Sequence, residues 1–131
     1  MASRIKAIGE FRPRIQLGET AQKGELVELV ASRSGQNEGT IDLGIKELRD
    51  SIIFILRRGR AVKIEGLGIW TPNIGLDGTL DVQYRQDPDL KNGLNAPGTF
   101  LAPIKNRENI GKTPDELIAL WNEAHPEDPV V

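Results

Sequence analysis

Four cations crowd into seven residues, Arg57, Arg58, Arg60 and Lys63, directly ahead of Gly66-Leu67-Gly68. Two kinds of phosphate chemistry suit such a run. A glycine-rich loop can cradle phosphate on its backbone N–H groups, provided that it opens a helix whose N-terminus faces the anion. The cations can instead neutralise phosphates themselves, or simply complement the negative end of a helix. Position rules out the loop: period-two alternation puts Gly66 and Gly68 between two strands, and no Gly-Lys-Ser or Gly-Lys-Thr is present. Glycine there lets two strands turn tightly with no Cβ to clash.

Other cations extend the phosphate-contact set to Arg85 and, near the N-terminus, to Arg4, Lys6, Arg12 and Arg14. Sets for covalent catalysis are missing. There is no cysteine, hence neither a thiolate nucleophile nor a disulfide, and no Ser-His-Asp arrangement. His125 is the single histidine, with Glu123 and Glu127 close by, and reads as a surface residue. Asp87 and Asp89 could be paired on paper, but nothing in the sequence places them in a pocket. The expectation is a non-enzyme with no cofactor and no metal.

The elements that must position these residues follow from periodicity. Leu26, Val27, Val30 and Ala31 form a helical stripe, with Thr20 as its expected cap and Ser34-Gly35 as its stop. Asn37 starts a second helix, on which Ile41, Ile45, Leu48, Ile52 and Ile55 recur at helical steps. Its last turn, Ile52, Ile53, Phe54, Ile55 and Leu56, is apolar nearly all round, which calls for a partner subunit as well as its own domain. Strands are expected around Val62–Glu65, from Leu67 to Asn73, and from Leu80 to Arg85, the last two joined by an Asp77-Gly78 hairpin turn. Asp87-Pro88 opens a short helix, Thr99 to Ile104 reads as a short strand, and residues 105–112 as polar loop. Thr113-Pro114-Asp115-Glu116 starts a final helix with Leu117, Ile118, Leu120 and Trp121 on its apolar face.

Three regions result: an extended segment over residues 1–18, a domain over 19–95, and an extension over 96–131 with an acidic helix. Net charge is −2, but residues 1–112 hold 17 basic and 14 acidic side chains, while residues 113–131 hold five acids and no base. A mildly basic body thus carries an acidic tail. The start has no apolar h-region, and the longest apolar run, Ile52 to Leu56, is far too short to span a bilayer. The chain reads as soluble and intracellular, with no membrane partner.

Residues 22–94 resemble the HU/integration-host-factor family of bacterial histone-like DNA-binding proteins. The resemblance is carried by Glu25-Leu26-Val27, by Ser34-Gly35, and above all by the run from Arg58 to Trp70, where Leu67 stands in place of the family's usual aromatic. The segment at 11–17 is similar to a family variant with an N-terminal strand. The resemblance implies an α+β fold: two helices, a three-stranded antiparallel sheet and a short third helix, here with a C-terminal helical extension, as an intertwined dimer clasped through Ile52–Leu56. It also implies double-stranded DNA as partner and a place in the cytoplasm, on the nucleoid. Its DNA saddle would be lined by Arg57, Arg58, Arg60, Lys63 and Arg85, with Arg4, Lys6, Arg12 and Arg14 as an arm. One feature departs from the pattern. Family members that bend DNA wedge a proline from a long basic β-arm between base pairs, and here only Ile74 to Gly78 joins the strands, with no proline. Phosphate contact of low sequence specificity without strong bending is therefore expected. The alternative is an HU-derived scaffold for protein association, with the helix of Leu117, Ile118, Leu120 and Trp121 as docking element.

Overall fold

Helix caps and turn glycines mark out ten elements in the computed structural model, which describes residues 1–131. They are α1 (Arg4–Phe11), β1 (Arg14–Ile15), α2 (Lys23–Ser34), α3 (Glu38–Leu56), β2 (Val62–Ile64), β3 (Gly68–Ile74), β4 (Leu80–Gln86), α4 (Pro88–Leu94), β5 (Ile104–Lys105) and α5 (Pro114–Ala124). The fold is α+β, its strands pairing antiparallel throughout. No helix is long and apolar enough to cross a membrane. The chain divides into two compact units, Thr20–Phe100 and a second made of Met1–Glu19 with Leu101–Val131.

In the unit Thr20–Phe100, α2 and α3 pack on each other and lead into a sheet of order β2-β3-β4. Gly35 adopts the left-handed conformation that ends α2, and Asn37 caps α3 by accepting the Gly39 N–H at 2.7 Å. The expected cap at Thr20 lies too early. Leu26 N–H bonds the Gln22 carbonyl, so Gln22 is the cap and the helix opens at Lys23. The hairpin closes at Asp77-Gly78 but not as a primed turn, which needs positive φ at both residues: only Gly78, at φ 86°, is left-handed, while Gly75 N–H donates to the Thr79 carbonyl and the Asp77 carboxylate accepts the Thr79 N–H. Asp87 caps α4, with Pro88 at the first helical position.

This unit lacks an apolar centre of its own. Val27 is its one buried hydrophobic residue, and none of the 19 residues of α3 is buried. An open cleft of about 680 Å³ runs between the end of α3 and the β3–β4 hairpin, walled by Ile53, Leu56, Pro72, Ile74, Leu80 and Val82.

The other unit corrects two expectations. Residues 4–11 are helical, not extended, because Ser3 caps the segment by accepting the Lys6 N–H at 3.1 Å and Ala7, Ile8 and Phe11 then share one face against α5. Only Arg14–Ile15 is strand, paired with Ile104–Lys105. The strand expected at Thr99 to Ile104 begins only at Ile104, since Pro103 has no N–H to give a ladder and β1 offers only two residues. Thr113 caps α5 through the Glu116 N–H. The apolar face of α5 is used within this unit: Leu117, Ile118 and Trp121 are buried, Ile118 and Trp121 against Ala7 of α1. The docking face expected on this helix is therefore already occupied. Asn106, at φ 59°, donates to the carbonyls of Glu10 and Arg12, and buried Asn109 donates to that of Phe11, so the loop at 106–109 satisfies the end of α1.

Candidate nucleic-acid interface

The sheet of the first unit has two chemically different faces. Directly paired residues of antiparallel strands share a face, and alternation carries that face along each strand. Val62, Trp70, Pro72, Ile74, Leu80, Val82 and Tyr84 fall together by this rule. Several of them wall the cleft beside α3, and the Trp70 and Tyr84 rings lie 5.1 Å apart. The opposite face presents Lys63, Ile69 and Arg85 in one row across all three strands, then Thr71 with Gln83, then Asn73 with Asp81. Lys63 and Arg85 are exposed, with half-buried Ile69 between them.

This row depends on how β2 enters β3. Gly68, at φ 148°, approaches β4 so closely that a Cβ would overlap the Arg85 carbonyl and stand 2.7 Å from the Tyr84 ring. The turn is fastened from outside. The Asp87 carboxylate accepts N–H bonds from Gly66 at 3.2 Å and Asp89 at 2.9 Å, while Tyr84 Oη donates to the Leu67 carbonyl at 2.7 Å. The Asp89 N–H first, then that of Gly66, holds the Asp87 carboxyl below its ordinary value, with a smaller contribution from the charge of Lys63. The paired glycines thus hold a strand junction, with the Gly66 N–H committed to the chain's own Asp87 carboxylate.

The remaining cations of the expected set are dispersed in role. Arg58 Nη1 donates to the Phe54 carbonyl at 2.7 Å and its guanidinium lies 3.6 Å above the Phe54 ring, which commits it to the end of α3. Arg57 borders the apolar cleft. Arg60 is exposed just ahead of β2. Arg4, Lys6, Arg12 and Arg14 all belong to the other unit. There Arg4 pairs with Asp115 at 3.3 Å, Lys6 lies over the Trp121 ring, and Arg12 follows α1 as its cap. Arg14 stands opposite Lys105, a cation absent from the expected set; the strand pairing that brings the two together has no local sequence signal. His125 stacks on Trp121 at 3.9 Å and lies between Glu10 and Glu127, 3.4 and 3.3 Å away.

No family model matches the chain, and no curated protein does. Among solved structures it is similar to an HU mutant from Thermotoga maritima, at 20% identity over 56% of this chain and 99% of that one, with a TM-score of 0.49.

Proposed function

We propose that residues 20–100 form an HU-like, non-enzymatic DNA-binding module that works as an intertwined dimer and contacts duplex phosphates with little sequence selectivity. The Lys63–Ile69–Arg85 row carries this reading: two exposed cations on the polar side of a sheet whose other side is apolar. Cations so placed neutralise phosphates and read no base edge. Two features support the dimer. An apolar-striped helix of 19 residues with none buried needs a second surface, and the cleft beside its end is walled by side chains that a second copy would cover. A five-residue connection between β3 and β4 leaves no arm to wedge base pairs, so the module binds without strong bending. A place on the nucleoid follows from the same reading.

Charge favours one second reading. Residues 20–100 hold ten Lys and Arg against eleven Asp and Glu, an unusual balance for a DNA-binding domain. A dimer retained for protein association, without DNA, fits that balance. Titrating a 20–30 base-pair duplex against protein of measured solution mass separates the two. DNA binding predicts affinity that falls with salt, with a slope of about −3.6 for the four row cations of a dimer. Absence of binding at low salt leaves the association reading.

A further inference from the structure

The polar side of the sheet is not cationic along its whole length. No Lys or Arg stands between Lys63 and Arg85 in the sequence, a stretch that holds all of β3, the turn and β4 as far as Tyr84. Two rows beyond Arg85, strand alternation puts exposed Asp81 opposite Asn73 on the same face, although both also border the edge of the apolar cleft. Four residues of strand separate Arg85 from Asp81, on the order of 13 Å. The Asp81 carboxylate accepts only the N–H of its neighbour Val82, at 2.8 Å, and no cation pairs with it. Asp77 adds a second negative charge at the turn, where the Thr79 N–H holds its carboxyl low.

Phosphates recur about every 3.4 Å of axis along each strand of a duplex. A duplex seated on Arg85 and continued toward the hairpin would bring further phosphates over an unneutralised carboxylate. We infer that Asp81 is the boundary of the phosphate-contacting strip: it confines duplex DNA to the Lys63–Ile69–Arg85 row and excludes it from the hairpin end. The inference rests on the DNA-contact reading above and concerns which part of the sheet the DNA uses. Asp81 acts by repulsion, a device that limits a footprint without adding a contact. The short hairpin and the acid on it then have one consequence: a strip only one row deep.

The test is a duplex titration by fluorescence anisotropy from 25 to 200 mM salt, roughly the range over which phosphate contacts are read, using the full chain and three variants. Asp81→Asn removes the charge and keeps an acceptor for the Val82 N–H. Asp81→Lys reverses it. Asp50→Asn makes the same charge change on α3, outside the sheet strands, at a carboxylate paired with its neighbour Arg49. The expected result is about threefold tighter binding for Asp81→Asn at low salt. Asp81→Lys should also steepen the salt slope by about 0.9 per copy, as one phosphate contact is gained. Asp50→Asn should match the unaltered chain. The inference is overturned if both Asp81 variants keep the original affinity and slope, or if Asp50→Asn tightens binding equally, which makes the effect one of net charge. If the unaltered chain binds no duplex at the lowest salt, the DNA-contact reading fails, and the boundary with it. Circular dichroism on each variant confirms an unchanged fold.

Discussion

Replacing Leu48 by alanine separates a dimer from a monomer sharply. Leu48 sits mid-way along the α3 stripe of Ile41, Ile45, Leu48, Ile52 and Ile55, and within one chain it is 44% exposed. In a monomer the substitution removes a half-solvated side chain and installs the best helix former, so stability should change by less than about 1 kcal/mol. An intertwined dimer that extends its contact from Ile52–Leu56 along this stripe buries the same side chain in each copy, and Leu→Ala at a buried site costs about 2–5 kcal/mol. Two copies at the low end give about 4 kcal/mol, or roughly a thousandfold weaker dimer. Sedimentation velocity over a hundredfold concentration range, with urea unfolding at two of those concentrations, reads both quantities. The expected outcome is a concentration-dependent midpoint for the unaltered chain, and dissociation of Leu48→Ala where the unaltered chain is dimeric. An unaltered chain that sediments as a monomer throughout, or a Leu48→Ala chain of unchanged mass and midpoint, contradicts the assignment of α3 to a subunit interface.

Three further outcomes are expected. Gly68→Ala should destabilise the sheet by about 1–3 kcal/mol, read by thermal unfolding, because its backbone is in a region that L-residues avoid and the new methyl meets the Arg85 carbonyl and the Tyr84 ring. Asp87 has a folded-state carboxyl held below 3.8, so the stability it contributes is present above that value and is lost as pH falls through its lowered one. Asp87→Asn should accordingly be less stable than the unaltered chain at pH 7 and decline less on acidification, measured by urea midpoints across pH. Trp121, 3% exposed and bonded through its Nε1–H to the Asp128 carbonyl, should cost about 3–5 kcal/mol when changed to alanine, seen as early loss of the tertiary signal of the terminal unit.

Local chemistry announced much of the architecture. Asn37, Asp87-Pro88 and Thr113-Pro114 each act as the caps that their residue types imply, and Asp77-Gly78 makes its hairpin. Alternation placed β2, β3 and β4, and with them the side of the sheet on which Lys63 and Arg85 lie. What escaped was non-local or short. The eight residues of α1 hold barely two turns, and the charged surroundings of Ile5, Ala7, Ile8 and Phe11 blur the period; Ser3 as cap was the one local cue. Nothing within α5 indicates that its apolar face meets α1, more than a hundred residues earlier. For Arg58 the sequence left phosphate contact and helix-end complement both open, since an arginine at a helix end reads alike whether it faces solvent or folds back on Phe54, as it does here.

The sheet's outer row is tested by measuring duplex affinity against salt for the Lys63→Gln/Arg85→Gln double variant beside Arg58→Gln. Loss of two phosphate contacts per copy should flatten the slope by about 3.6 in a dimer, whereas Arg58→Gln should leave the slope in place because that guanidinium is already engaged by its own helix. Equal slopes for the double variant and the unaltered chain, or a loss on Arg58→Gln alone, would contradict binding through this face.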